Sequence, residues 1–169
     1  HKYYRESKTK LRRLQKAKSR KTKGSKHYEK NRIAIAKQHK KIANQRKDKL
    51  HKLSCQIAND YDAVCVESLN LKAIANGNFK NGKATNDNGY AMFVNFLDYK
   101  LHDRGKQLVK IDKWFPSSKT CSACGFIKKD LKLSDRLVEC PSCNNKIDRD
   151  LNAAINIRNE GIDGLDESL

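Results

Sequence analysis

Apolar residues along this chain fall into short stretches with different periods, separated by long polar runs. Residues 1–24 are almost entirely basic and polar. Leu11 and Leu14 supply the one apolar pair at helical spacing, which predicts a helix broken at Gly24-Ser25. Over 27–58, Ile35, Ile42, Leu50, Leu53 and Ile57 recur at multiples of three or four residues, with His39 and Arg46 in the gaps. That pattern predicts a long helix with one narrow apolar stripe. Residues 63–67 (AVCVE) read as a buried strand, since β-branched residues suit a pleated surface. A Gly- and Asn-rich loop spans 72–88, and Asp87 or Asn88 is placed to cap the next helix. That helix covers 89–104, with Phe93, Phe96, Leu97 and Leu101 on one face and Gly105 as its stop. Residues 107–111 form a second strand. A last helix runs over about 149–159, and an acidic, frayed tail begins at Gly161.

Charge divides the chain differently. Of a net +18, residues 1–60 carry +17, with 21 Lys+Arg against four acids. The remaining residues are nearly neutral. A basic arm of this density is expected to bind a polyanion; the bland alternative is a solvated basic face. Lys16, Arg20, Lys37 and Lys41 are the expected phosphate contacts on the arm. Lys128, Lys129 and Arg136 are those expected further on. No apolar run approaches membrane length, so no membrane partner is expected. The expected compartment is the cytoplasm, at the nucleoid.

Six cysteines refine the picture. Cys121, Cys124, Cys140 and Cys143 form a paired CxxC with fifteen residues between the inner two, a spacing suited to a tetrahedral zinc ribbon. Gly125 follows the first turn and Pro141 stiffens the second. The protein fills all four positions, so the zinc is structural. Iron in the same cage and disulfides are the lesser alternatives; a lysine-rich chain without a secretory leader weighs against disulfides. Cys55 and Cys65 lack ligand spacing and read as buried thiols.

Two acids stand out. Glu67 ends an apolar strand, where a carboxylate is costly to bury unless paired or metal-bound; the alternative is a solvent-facing edge residue. Asp150 lies in Asp148-Arg149-Asp150 at a helix start, where an acid also serves as a cap. Asn152 and Asn156, four apart, suit fixing that helix to the core. Trp114 and Phe115 lie between Lys113 and Lys119 and could stack a base or pack against the ribbon.

Taken in order, VCVESLNL, the four-cysteine ribbon and DRDLNAAINI resemble the transposon-encoded TnpB (OrfB) proteins and the compact type V CRISPR effector nucleases related to them. The likeness covers about residues 5–160. It implies an α/β fold: a partial RNase H-like (RuvC) core with long basic helices and an inserted zinc ribbon. The layout it suggests is a basic helical segment 1–60, core segment 61–115, ribbon 116–147, closing helix 148–160 and tail 161–169. The resemblance also implies RNA-guided DNA cleavage, with DNA and guide RNA as partners and catalytic Mg²⁺ held by three acids. Two of those acids fall on Glu67 and Asp150. The family's first acid lies in a DxG-like motif on an opening strand, and nothing before Tyr61 matches it; Asp48 and Asp60 do not fit. The chain, which begins at His1, is therefore expected to be the C-terminal part of such a protein, inactive alone. A catalytically dead nucleic-acid-binding relative, acting as a regulator or left as a transposon remnant, is the alternative. A ribosome-like zinc ribbon protein would leave VCVE and DRDLNAA unexplained.

Overall fold

A computed structural model describes residues 3–70, 89–132 and 134–166. They form two compact units, residues 1–60 with 71–100 and residues 61–70 with 101–169.

The first unit is helical. Helix α1 (Tyr3–Ser19) and helix α2 (Lys26–Asp60) make a hairpin. The expected break at Gly24-Ser25 is present. Gly24 adopts a left-handed φ of 85°, and the Ser25 hydroxyl caps α2 by accepting the Tyr28 N–H at 3.2 Å. Leu11 and Ile42 are buried, and Gln38 beside them donates to the Ser7 hydroxyl at 3.1 Å. The buried line on α2 runs through Gln38, Ile42, Ser54 and Ala58, and Leu53 is exposed. The expected stripe thus fails at Leu53, while Leu50 and Ile57 are half-buried. At Ser54, helix α3 (Tyr90–His102) brings the Lys100 ammonium to 2.7 Å from both the His51 carbonyl and the Ser54 hydroxyl. Phe96 stacks on the His51 ring at 3.9 Å. The loop expected over 72–88, with its proposed caps, lies outside the described residues.

The second unit holds the strands. At its start Gly105, in the left-handed region at φ 66°, ends α3 as expected. Its N–H bonds the His102 carbonyl and the Lys106 N–H bonds that of Leu101, which closes the helix end. Strand β1 (Ala63–Glu67) and strand β2 (Gln107–Ile111) pair in parallel, with Cys65 opposite Val109 and Glu67 opposite Ile111. Strand β3 (Leu137–Glu139) and strand β4 (Lys146–Asp148) form an antiparallel hairpin in the ribbon. Helix α4 (Arg149–Asp166) packs on β1 and β2. Leu101, Ile111, Cys121, Val138 and Cys140 are the buried apolar residues here.

Helix α4 runs past its expected end near 159, through Gly161 to Asp166. Gly161 is buried, and a Cβ on it would meet the Cys65 side chain, so the residue read as the start of a tail is a contact point with the sheet.

Candidate metal centre and acidic pair

The two cysteine turns are built alike. In the first, the Gly125 N–H donates to the Cys121 carbonyl at 2.8 Å and the Cys121 N–H to that of Phe126 at 2.9 Å. In the second, the Asn144 N–H donates to the Cys140 carbonyl and the Cys140 N–H to that of Asn145, both at 2.9 Å. The residue after each second cysteine sits in the left-handed region, Gly125 at φ 75° and Asn144 at φ 58°. Glycine adopts this conformation freely and asparagine more readily than most other residues. Asn144 in CxxCN thus mirrors Gly125 in CxxCG, a correspondence that becomes visible once the two turns are compared.

The four Sγ atoms lie within 4.8 Å of one another. Cys121 and Cys143 are 3.7 Å apart, and Cys124 and Cys140 are 3.5 Å apart. A tetrahedron with Zn–S bonds of about 2.3 Å separates its sulfurs by about 3.8 Å, whereas a disulfide needs about 2.05 Å. None of the six cysteines is in a disulfide. The cluster therefore fits a metal such as zinc.

The thiols influence one another strongly. Burial opposes ionisation of Cys140, but N–H donors from Cys143 and Ser142 and the neighbouring thiols outweigh it and bring the group down to about 6. The Asn145 N–H favours a Cys143 thiolate, yet the bond to Cys124, burial and the other two thiols push it up to about 12. A divalent cation among the sulfurs would hold all four as thiolates.

The ribbon is fastened to α4 by the asparagine pair. Asn152, fully buried, accepts the Ser122 N–H at 2.9 Å and donates to the Thr120 carbonyl at 2.7 Å. Asn156 donates to the carbonyls of Thr120 and Ser117 at 2.6 and 2.8 Å.

That fastening orients the acids. The Cys65 thiol donates to the Arg158 carbonyl at 3.8 Å, and Gly161 abuts Cys65 and Val109. Asn152 and Asn156, earlier on the helix, engage the segment that follows β2. Helix α4 therefore runs back along the sheet from the end where both strands finish. Glu67 and the start of α4 share that end. Glu67 lies about 7 Å beyond Cys65 along its strand, and Asp150 precedes Gly161 by about 16 Å of helix.

Their side chains differ in setting. Glu67 is half-buried, and burial raises its carboxyl above the ordinary value of 4.5. Asp150 is exposed, with its carboxylate 3.6 Å from the Arg149 guanidinium. The cap of α4 is Asp148, whose Oδ1 accepts the N–H groups of Asp150 and Leu151 at 2.9 and 3.1 Å. Asp150 is therefore not the capping residue. Among the described residues, the four cysteines are the one set of three or more metal-ligating side chains gathered within 4.8 Å, and neither Glu67 nor Asp150 belongs to such a set.

Of the basic residues singled out, Lys16, Arg20, Lys37 and Lys41 are exposed in the first unit. In the ribbon, Lys129 and Arg136 are exposed, while half-buried Lys128 donates to the Glu139 carbonyl at 3.2 Å. The aromatic pair splits: Phe115 is half-buried and Trp114 is 80% exposed. No helix among the described residues is long and apolar enough to cross a membrane.

The chain matches two known family patterns, a probable transposase (OrfB) family over residues 1–77 and the Cas12f1-like TNB domain over 90–157. It is 38% identical over 164 residues to a Streptomyces pristinaespiralis protein named as a proposed RNA-guided DNA endonuclease, covering 95% of this chain and 40% of that one. It is 34% identical over 133 residues to the TnpB-like protein L79 of Acanthamoeba polyphaga mimivirus, covering 76% of this chain and 25% of that one. A CRISPR-Cas12f ternary complex solved by cryo-EM contains a chain that superposes with a TM-score of 0.68 at 25% identity, covering 92% of this chain and 32% of that one. A Cas12f1–sgRNA–target DNA complex gives 0.58 at 27% identity, covering 78% and 39%. The chain thus spans two fifths or less of these relatives.

Proposed function

From a chain that belongs to the TnpB/OrfB family, we infer that these 169 residues are the RuvC-like and zinc-ribbon part of an RNA-guided DNA endonuclease. What supports this reading is that Glu67 closes β1 opposite the last residue of β2, while Asp148 caps α4 and leaves the Asp150 carboxylate in the first turn for another role. Two carboxylates, from a strand end and a helix start, are the hard oxygen donors that Mg²⁺ takes. Magnesium held by Glu67 and Asp150 would supply a hydroxide nucleophile and stabilise the leaving oxygen of phosphodiester hydrolysis.

The chain's own residues do the positioning. Glu67, held where water solvates its charge poorly, gains more from a cation than an exposed acid does. Asn152 and Asn156 tie the start of α4 to the ribbon, so the cysteine cluster fixes Asp150 indirectly. DNA and guide RNA are the partners this reading assigns, with the exposed lysines of the first unit on the phosphates. A third acid is supplied from outside these residues, and the isolated chain does not cut. A binding-only relative has no need of a half-buried carboxylate facing the same end as Asp150.

The test is cleavage of labelled single-stranded DNA in Mg²⁺ with guide RNA supplied, by this chain, by the chain joined to its native upstream segment, and by a Glu67→Ala form of each. Cutting by the extended form alone, abolished by Glu67→Ala, is the expected result. Silence from every form would favour the binding-only relative.

A further inference from the structure

The segment 112–117 joins the two places that hold the acids. It leaves β2 at Ile111, the register partner of Glu67, and ends at Ser117, whose carbonyl is held by Asn156 of α4. It is pinned along its length. The Asp112 carboxylate accepts the Trp114 N–H at 2.6 Å, and the Phe115 N–H bonds the Asp112 carbonyl at 3.3 Å. The Ser117 N–H bonds the Phe115 carbonyl at 2.8 Å. Phe115 turns inward and Trp114 outward, 80% exposed. Lys113 places its ammonium 4.9 Å from the centre of the Trp114 ring, over one face.

A hydrogen-bonded turn thus presents an indole, with a cation on one side, in the segment that joins the register partner of Glu67 to the helix that carries Asp150. Exposed aromatic faces beside lysines are how proteins hold unpaired bases, whatever the base, while the cation meets the phosphate. We propose that Trp114 is a positioning residue: it stacks an unpaired base of the DNA strand to be cut and sets which phosphodiester reaches the two acids. This rests on the functional reading above.

Trp114 is the one tryptophan of the chain, so its fluorescence reports stacking directly. The chain is titrated with a thymidine single strand and with an abasic sugar-phosphate strand of equal length. Binding is followed separately by the anisotropy of a label on the strand. The expected result is quenching by the thymidine strand and not by the abasic one. Trp114→Ala should weaken thymidine-strand binding on the order of 10-fold and leave abasic binding unchanged, and Trp114→Phe should restore most of the loss. Saturating binding without quenching, equal quenching by both strands, or quenching by RNA but not DNA would overturn the proposal. None of these readouts needs metal or cleavage. Quenching with no cutting by the extended form would count against the nuclease reading alone, and cutting without quenching against the Trp114 assignment alone.

Discussion

At the scale of single residues, the most informative atoms are the carboxylate oxygens of Glu67. Burial raises this group above its ordinary 4.5. Folding therefore favours the protonated form, and the contribution to stability is complete below 4.5 and lost as pH rises through the raised value. At neutral pH the ionised carboxylate is therefore less favourable to the fold than the protonated form is at low pH. Glu67→Gln should accordingly stabilise the chain to urea at pH 7, with the difference vanishing near pH 4. A destabilised variant at pH 7 would mean that hydrogen bonds to Glu67 outweigh its desolvation. Glu67 was legible in the sequence because a lone acid interrupts an apolar strand. Asp148 was not legible as the cap: in Asp148-Arg149-Asp150 both acids suit a helix start, and only backbone geometry chooses between them.

At the scale of elements, period and punctuation carried most of the information. Strands 63–67 and 107–111 and the break at Gly24-Ser25 lie where local pattern put them. Pattern failed where a neighbour overrode it. Ser54 takes the place of Leu53 on the buried line, where a lysine from another helix reaches in. Gly161 sits inside a helix because the sheet comes too close for a side chain. Gly161→Ala would bring a Cβ within 2.9 Å of the Cys65 Cβ and nearer still to its sulfur. It should cost about 1–3 kcal/mol by thermal melting. Gly164→Ala meets nothing within 4 Å and should gain up to about 1 kcal/mol from helix propensity. Equal effects at the two positions would contradict the packing. In the ribbon, Cys143→Ser removes one of four sulfurs and should lower bound zinc and the melting point of the second unit together. Metal binding contributes on the order of 10 kcal/mol to small zinc domains. Full zinc content with unchanged melting would argue against a four-cysteine site.

At the scale of the whole molecule, the order of strand, ribbon and closing helix made the family legible, since each part alone is common. The shared end of Glu67 and Asp150 could not be read from residues 83 positions apart; it follows from the parallel pairing of β1 with β2 and the return of α4 along them. The claim that these acids serve one metal site can be tested without cleavage. Manganese, as a paramagnetic substitute for magnesium, would be titrated into the chain while the amide resonances of Glu67 and Asp150 are followed by NMR. Broadening of both at the same metal concentration, lost at Asp150 when Glu67 is replaced by Gln, is the expected result. Broadening at Asp150 that ignores the Glu67→Gln change would show two unrelated acids and contradict the shared site.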